Sequence, residues 1–438
     1  MFDKSKIRVA FATAVGLGAI IGAGIFILSG TAVALAGADA ILAFILVGII
    51  AIILAFEYGE LGSIMPKLHG ATYSYIYKAF GSELGFITGI LLYMSFAVSI
   101  SVISLGFGAY FVNLFDISIS PIVIAIILII ILSLINLKGI KNTAKVDTFL
   151  VSIKIAILLI FVLFAILFFL GSKSSSISNF SISGQQGSIE SLIEAVVVII
   201  FAYSGFQSIS SITPEVEGGA KGAAKAIMSA VIISGIIYVL VVISLMLLAP
   251  ASKYSISGDP LSIALESSSA PQWLIILVDL GALIATTSAA LAMLLSSSKV
   301  LYQISVDRLL PKFFRVYDKK NGVAINGIII TAFIAILTLF AGNIFVITSI
   351  SDFGLLFSYL ITSFALIHFR RKKIVGSIKT PLYPYFPIIA ILMILLFMYG
   401  LPKESLLIGL VMIILLLIIY YSLREIEDKK VVRIKLFK

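Results

Sequence analysis

The chain has 438 residues, of which 61% are hydrophobic and 12% charged, with a mean hydropathy of +1.20; a soluble protein carries about a quarter charged residues. The bilayer is therefore its solvent, and at roughly 20 apolar residues per crossing the length holds about a dozen helices and no separate soluble domain. Zero cysteines exclude disulfides, thiol nucleophiles and Cys-ligated metals, the two distant histidines, His69 and His368, supply no imidazole metal site, and the net charge of +10 reads as membrane orientation, not as a nucleic-acid partner.

Apolar runs bounded by turn residues or charges predict an all-α integral membrane protein with twelve spans: 10–36, 40–65, 83–112, 121–137, 146–170, 189–213, 226–249, 271–298, 323–341, 343–367, 383–401 and 404–422. Of 31 Lys and Arg, 27 fall on alternate connections and the two termini, three (Lys173, Lys253 and Lys403) on the opposite side, and Lys154 inside a span. The positive-inside rule then puts both termini in the cytoplasm of a multi-pass protein of the cell membrane. The first apolar stretch has glycines through its middle and runs past a typical signal-peptide core, so it reads as a span.

In chain order, residues 1–9 form a cytoplasmic tail and 10–170 a first set of five helices. The first span, AVGLGAIIGAGIFILSG, carries Gly16, Gly18, Gly22 and Gly24 in its middle. A polar, serine-rich outside loop covers 171–188. Residues 189–367 form a second set of five, and its first member contains FAYSGFQSISS around Gly205, followed by Pro214. The segment SGDPLSIALESSS predicts a short helix over an outer vestibule. Two further helices cover 383–422, and a basic tail covers 423–438. The two broken helices lie five spans apart, the mark of a five-plus-five inverted-repeat transporter with its site at the midplane.

Such breaks expose backbone groups. Unwinding at Gly22, Ala23 and Gly24 leaves amides free at the start of the next half-helix, Ile25 included, where the macrodipole is positive and a carboxylate is welcome. A break at Tyr203, Ser204, Gly205 and Phe206 offers the last carbonyls of the preceding half-helix to a cation. One ligand that satisfies both is a zwitterion, and the commonest small zwitterion is an amino acid. Phe201, Tyr203 and Phe206 are candidates to stack over it, although aromatics in a chain with 31 Phe mostly serve packing.

Lys154 sits deep in VSIKIAILL, where a lysine is costly unless it is held by carbonyls or cycles between charged and neutral forms. It is the candidate proton-coupling group, and Asp279 in the eighth span is the next. Glu57 and Glu60, at the inner end of the second span, and Glu215 and Glu217 after the sixth read as solvated partners of basic loops.

GLGAIIGAGIF, YGELGSIMPKLHGATYSYIYKAFGSELGFITG, FAYSGF with PEVEGGAKGAAKAI, VLYQISVDRLLPKFF and TPLYPYFPII together resemble the amino acid-polyamine-organocation superfamily of transporters, from about Val9 to Glu425. Ala71 replaces the second glycine of the family's Gly-Gly pair, and the family's prolines after the sixth helix are absent. The resemblance implies alternating access with amino-acid substrates, and a substrate carboxylate on Gly22, Ala23 and Gly24. It also implies an ammonium facing the carbonyls of Tyr203 and Ser204, and an aromatic gate at Phe201. Lys154 matches the fifth-helix lysine of proton-coupled members, where its ammonium contacts the carbonyl of Gly18 and hydroxyls of the eighth helix. Thr286, Thr287 and Ser288 are available here, and the family's serine aligns with Ala285. Gln207 replaces the glutamate of arginine/agmatine exchangers, against a dicationic substrate.

The partners expected are an amino acid, protons and lipid, with no cofactor and no metal. The rivals are an exchanger or a non-transporting nutrient sensor of the same fold, a membrane-embedded enzyme and a channel. The enzyme lacks a nucleophile, base or metal constellation in the sequence, and the channel lacks a repeated filter loop or ring of charge.

Overall fold

The computed structural model describes residues 8–65, 71–138, 143–172, 177, 179–180, 187–207, 209, 216–254, 258–318 and 321–436. His69, the Pro66–Gly70 part of its motif, most of the serine-rich loop, Pro214 and Glu215 lie outside them. A chain this apolar in lipid must satisfy its backbone groups within each segment, and the helix does so. Among the described residues fifteen α-helices form: α1 (Val9–Ile20), α2 (Ala23–Ala36), α3 (Asp39–Ile64), α4 (Ala71–Phe80), α5 (Ser82–Phe115), α6 (Pro121–Leu137), α7 (Thr143–Gly171), α8 (Ile189–Tyr203), α9 (Ala220–Leu248), α10 (Pro260–Ser267), α11 (Gln272–Val306), α12 (Ile325–Thr338), α13 (Ile344–Arg371), α14 (Tyr385–Tyr399) and α15 (Lys403–Leu436). A short hairpin, β1 (Tyr317–Asp318) with β2 (Val323–Ala324), joins α11 to α12.

Among the described residues, seven helices are long and apolar enough to cross a membrane, or eight with α1 and α2 taken as one span bent by 43°. The shorter α6, α12 and α14, together with α8, complete the twelve expected spans. Ends fall where the chemistry of the chain puts them. Pro121 and Pro260 open α6 and α10, Ser188 and Asn343 cap α8 and α13 with side-chain oxygens, and Asp116 closes α5 in the left-handed region. Hydroxyls inside the spans turn back on their own helices, as Ser29 does on the Ile25 carbonyl at 2.7 Å and Ser234 on that of Ala230 at 2.7 Å, so they enter lipid already bonded.

The core is formed by α1, α2, α3, α5, α8, α9, α11 and α13, while α6, α14 and α15 turn exposed leucines and isoleucines outward, among them Ile127, Leu134, Leu392 and Ile414. That distribution suits lipid contact. The short helix expected after Pro250 is α10. Its Pro260 seats against Gly30 of α2, and its Ser262 hydroxyl donates to the carboxylate of Asp279 on α11, so α10 closes the end of the bundle where α2 finishes. The ten-residue α4 has no counterpart among the expected spans; its amphipathic YSYIYKAF anchors through Tyr58 to Thr72 at 2.8 Å and Tyr73 to Asp307 at 2.8 Å.

One expectation is overturned here. Glu57 and Glu60 are not solvated partners of basic loops: both are 0% exposed. Glu60 pairs with Arg370 at 2.6 Å and accepts the Thr380 amide at 2.7 Å, while Glu57 accepts the Ser363 hydroxyl at 2.6 Å. The side of α3 that carries them faces α13, not water.

Candidate functional site

The first break is narrower than the glycines imply. Ile21 still donates to Leu17 at 2.7 Å, Gly22 turns its amide onto the Ile20 carbonyl at 2.7 Å, and Ala23, Gly24 and Ile25 already form the first turn of α2. Only two residues leave helical geometry, because the small neighbours Ala23 and Gly24 let α2 restart at once. The first-turn amides of Ala23, Gly24 and Ile25 have no acceptor within their own helix, and all three residues are buried.

The second break lies beside the first. α8 ends at Tyr203, Ser204 is extended, and Gly205 takes φ +108°, a conformation that a side chain disfavours. A Cβ on Gly205 would stand 2.6 Å from the Ala19 carbonyl oxygen, and one on Gly24 would strike Ala202. So the end of α1 rests on the α8 break and the start of α2 rests on the end of α8, as antiparallel broken helices require. Of the carbonyls at the end of α8, that of Phe201 accepts from the Ser204 amide and hydroxyl at 3.1 and 2.7 Å, and that of Ala202 from the Tyr238 hydroxyl at 2.9 Å. Among the described residues, no hydrogen bond engages the carbonyls of Tyr203 and Ser204. Amide donors of one half-helix thus lie beside carbonyl acceptors of another.

The aromatics divide. Phe201 belongs to the apolar cluster of Ala23 and Ile27 of α2 and Ala289 of α11. Tyr203 turns away, donating to the Phe44 carbonyl of α3 at 3.0 Å with its ring edge-on to Tyr238. Phe206 stacks on Tyr359 of α13 at 5.8 Å. Of the three candidates for stacking over a ligand, only Phe201 lies on the side of α2. Tyr238, which the sequence does not single out, places one hydroxyl 2.6 Å from the Ile20 carbonyl and 2.9 Å from that of Ala202, joining the ends of both broken helices through α9.

Lys154 is 1% exposed and donates to Ser288 of α11 at 2.6 Å. The hydroxyls of Thr286 and Thr287, also expected as partners, bond the Ala282 and Leu283 carbonyls, each at 2.7 Å, on their own helix. Successive residues of a helix point about 100° apart, and the phase of α11 brings Ser288 round to α7. Gly18 lies at the same junction, since a Cβ there would stand 2.8 Å from Val151, one turn before Lys154, and a Cβ on Gly22 would stand 2.9 Å from Ala289, next to Ser288. The lysine therefore connects α7 and α11 directly behind the α1–α2 break. Among the described residues there is no group of His, Cys, Asp and Glu able to hold a metal.

Twelve spans with paired breaks in the first and sixth define a class, the membrane transporters built on broken helices. The chain belongs to the amino acid permease family of the amino acid-polyamine-organocation superfamily, whose sequence profile matches residues 9–413. It is similar to the methylthioribose transporter of Bacillus subtilis, with 29% identity over 89% of this chain and 87% of that one. It also resembles the branched-chain amino acid permeases BcaP of Bacillus subtilis (26% identity; 93% and 90% covered) and Lactococcus lactis (24%; 95% and 94%). A manganese transporter of Eremococcus coleocola has the same fold, with a TM-score of 0.61 at 14% identity over 94% of this chain and 93% of that one.

Proposed function

We infer that this protein is a secondary transporter that moves an amino acid across the cell membrane by alternating access, with protons as the driving ion. One observation carries the reading. The first-turn amides of α2 and the terminal carbonyls of α8 meet where Gly24 packs on Ala202 and Gly205 on Ala19, so a carboxylate and an ammonium on one small molecule satisfy both. In this reading Gly22, Ala23, Gly24 and Ile25 bind the carboxylate, the carbonyls of Tyr203 and Ser204 with the turn at Gly205 bind the ammonium, and Phe201 closes over the substrate. Protonated Lys154, tied to Ser288 and set beside Gly18, holds α7 to α11; losing its proton frees that tie and lets the site empty. Residues 10–170 and 189–367 are the two repeats, and both termini face the cytoplasm.

The experiment is uptake into liposomes. The reconstituted protein should accumulate a neutral amino acid under an inward proton gradient and stop when a protonophore collapses it. The similarity to a methylthioribose transporter supplies the competing substrate for the same assay. Uptake of methylthioribose but of no amino acid would refute the reading, because that sugar has neither a carboxylate nor an ammonium.

A further inference from the structure

Beyond the substrate site, α13 carries a buried seam. Asp352, Leu356, Tyr359 and Ser363 recur at helical spacing on one side of it, and the seam continues to Arg370. Leu356 and Tyr359 line a water-sized cavity of about 20 Å³ together with Tyr203 and Phe206 of the α8 break. Below it, Ser363 donates to Glu57, and Arg370 pairs with Glu60. Asp352 is at the other end, eight residues or about 12 Å into α13 at 1.5 Å per residue. It is 0% exposed, and neither of its carboxylate oxygens has a hydrogen-bond partner among the described residues.

An ionised carboxylate in that position would be shut off from bulk solvent and, among the described residues, would have no counter-charge. Of the hydroxyls nearby on α13, Ser351 joins Ser95 and Ser99 of α5 at 2.6 to 3.1 Å, and Thr348, one turn before Asp352, is buried without a hydrogen-bond partner among the described residues. Further along the seam α3 contributes Tyr58 and Glu57, α4 contributes Tyr75 and the turn after α8 contributes Gln207, while α14 presents Ile394 and Phe397 and α15 packs Gly409 on Phe353. Among the described residues, the titratable group within electrostatic reach of Asp352 is Tyr359, two turns away on the same helix. No cation stands beside it among the described residues, and an isolated buried charge of this kind is too costly to keep.

We propose that Asp352 is a second proton-binding site of the transporter, separate from Lys154, which holds its proton in this conformation and is linked to the α8 break through Tyr359 and Gln207. The link is visible in the structure. Gln207 accepts the Gly205 amide at 3.0 Å and the Tyr359 hydroxyl at 3.4 Å through the same Oε1, and its Nε2 is buried without a partner. When Asp352 gives up its proton to water, in a conformation that opens the seam to one side of the membrane, the O–H electron pair stays on the carboxylate, and the Thr348 hydroxyl, the Tyr359 hydroxyl and Gln207 Nε2 are the donors that can turn toward it. Motion of Tyr359 or Gln207 disturbs the bond that fixes Gly205, so through these two side chains the protonation of Asp352 and the geometry of the break change together. The inference stands whether or not Lys154 carries the coupled proton.

The test is infrared spectroscopy of the full-length protein in lipid at neutral pH, with no substrate added. The protein should show a carboxylic-acid carbonyl band that persists in Lys154→Ala, Glu57→Gln and Asp279→Asn and disappears in Asp352→Asn. Should Asp352→Asn fail to fold, Asp352→Glu must move the band. Gln207→Leu must also move it, because the seam around the acid has changed. A spectrum unaltered by Asp352→Asn, or by Asp352→Glu where that variant stands in, shows that Asp352 is ionised and overturns the proposal. A band unaltered by Gln207→Leu overturns the link to the break.

Discussion

Gly24→Ala adds a single methyl at the contact between the two broken helices. Its Cβ would lie 2.6 Å from the Cβ of Ala202 and 3.2 Å from its amide nitrogen, with the Ala202 Cα nearer still. Part of the obstruction is backbone, so no side-chain rotation relieves it, and in a close-packed interior ordinary contact returns only after α2 moves about 1 Å from α8. A carboxylate bonded at about 2.9 Å to the α2 amides, with an ammonium bonded to the α8 carbonyls, cannot follow both helices through such a shift. Overpacking of this kind costs about 1–3 kcal/mol, so substrate affinity should fall by about 10- to 100-fold. Titration calorimetry with the transported amino acid measures the loss, and thermal unfolding of the same preparation shows that the fold survives. Gly171→Ala, where the added methyl meets nothing within 4 Å, is the control and should bind as the wild type does. Affinity within twofold of wild type in folded Gly24→Ala would refute the assignment of this contact to the substrate site.

Phe201→Leu keeps an apolar side chain in the cluster around α2 but removes the ring that closes over the substrate, and uptake should slow about tenfold more than binding weakens; equal losses in rate and affinity would make Phe201 a plain contact. Lys154→Ala removes the bond to Ser288 and should abolish uptake driven by a pH gradient while amino-acid binding persists, which counterflow and calorimetry on one preparation separate. Arg370→Ala leaves the fully buried Glu60 without its cation, an uncompensated charge worth about 3–5 kcal/mol. Thermal unfolding should register the loss, and Glu60→Gln in the same chain should recover part of it.

The spans were legible because lipid allows so few solutions: a long apolar run must become a helix, and twelve runs became twelve spans, although α11 runs 8 residues and α15 14 residues past the expected ends. The two breaks were legible as well, since glycine and polar residues interrupt runs that otherwise need no interruption. Rotation about the helix axis was not legible. Thr286, Thr287 and Ser288 are adjacent in sequence yet point in three directions, and only the packing of α11 on α7 selects Ser288. The same limit hid the seam on α13. Glu57 lies near the inner end of its span, where a carboxylate normally reaches water, and Asp352 lies well within the span expected at 343–367, a signal that the sequence carried but whose surroundings it could not show. Tyr238 is one of 17 tyrosines, and its place between two broken helices exists only in three dimensions.

The claim on which the account rests is that one site reads both charges of an amino acid, and the most direct measurement compares binding of three compounds to the purified protein. The transported amino acid carries both charges, its amide lacks the carboxylate, and its N-acetyl derivative lacks the ammonium. The α2 amides and the α8 carbonyls each contribute hydrogen bonds to a charged group, about 1.5–3 kcal/mol apiece, so each derivative should bind about 10- to 100-fold more weakly than the amino acid. Equal binding of the amide or of the N-acetyl derivative would contradict the account, since one of the two broken helices would then have no part in recognition.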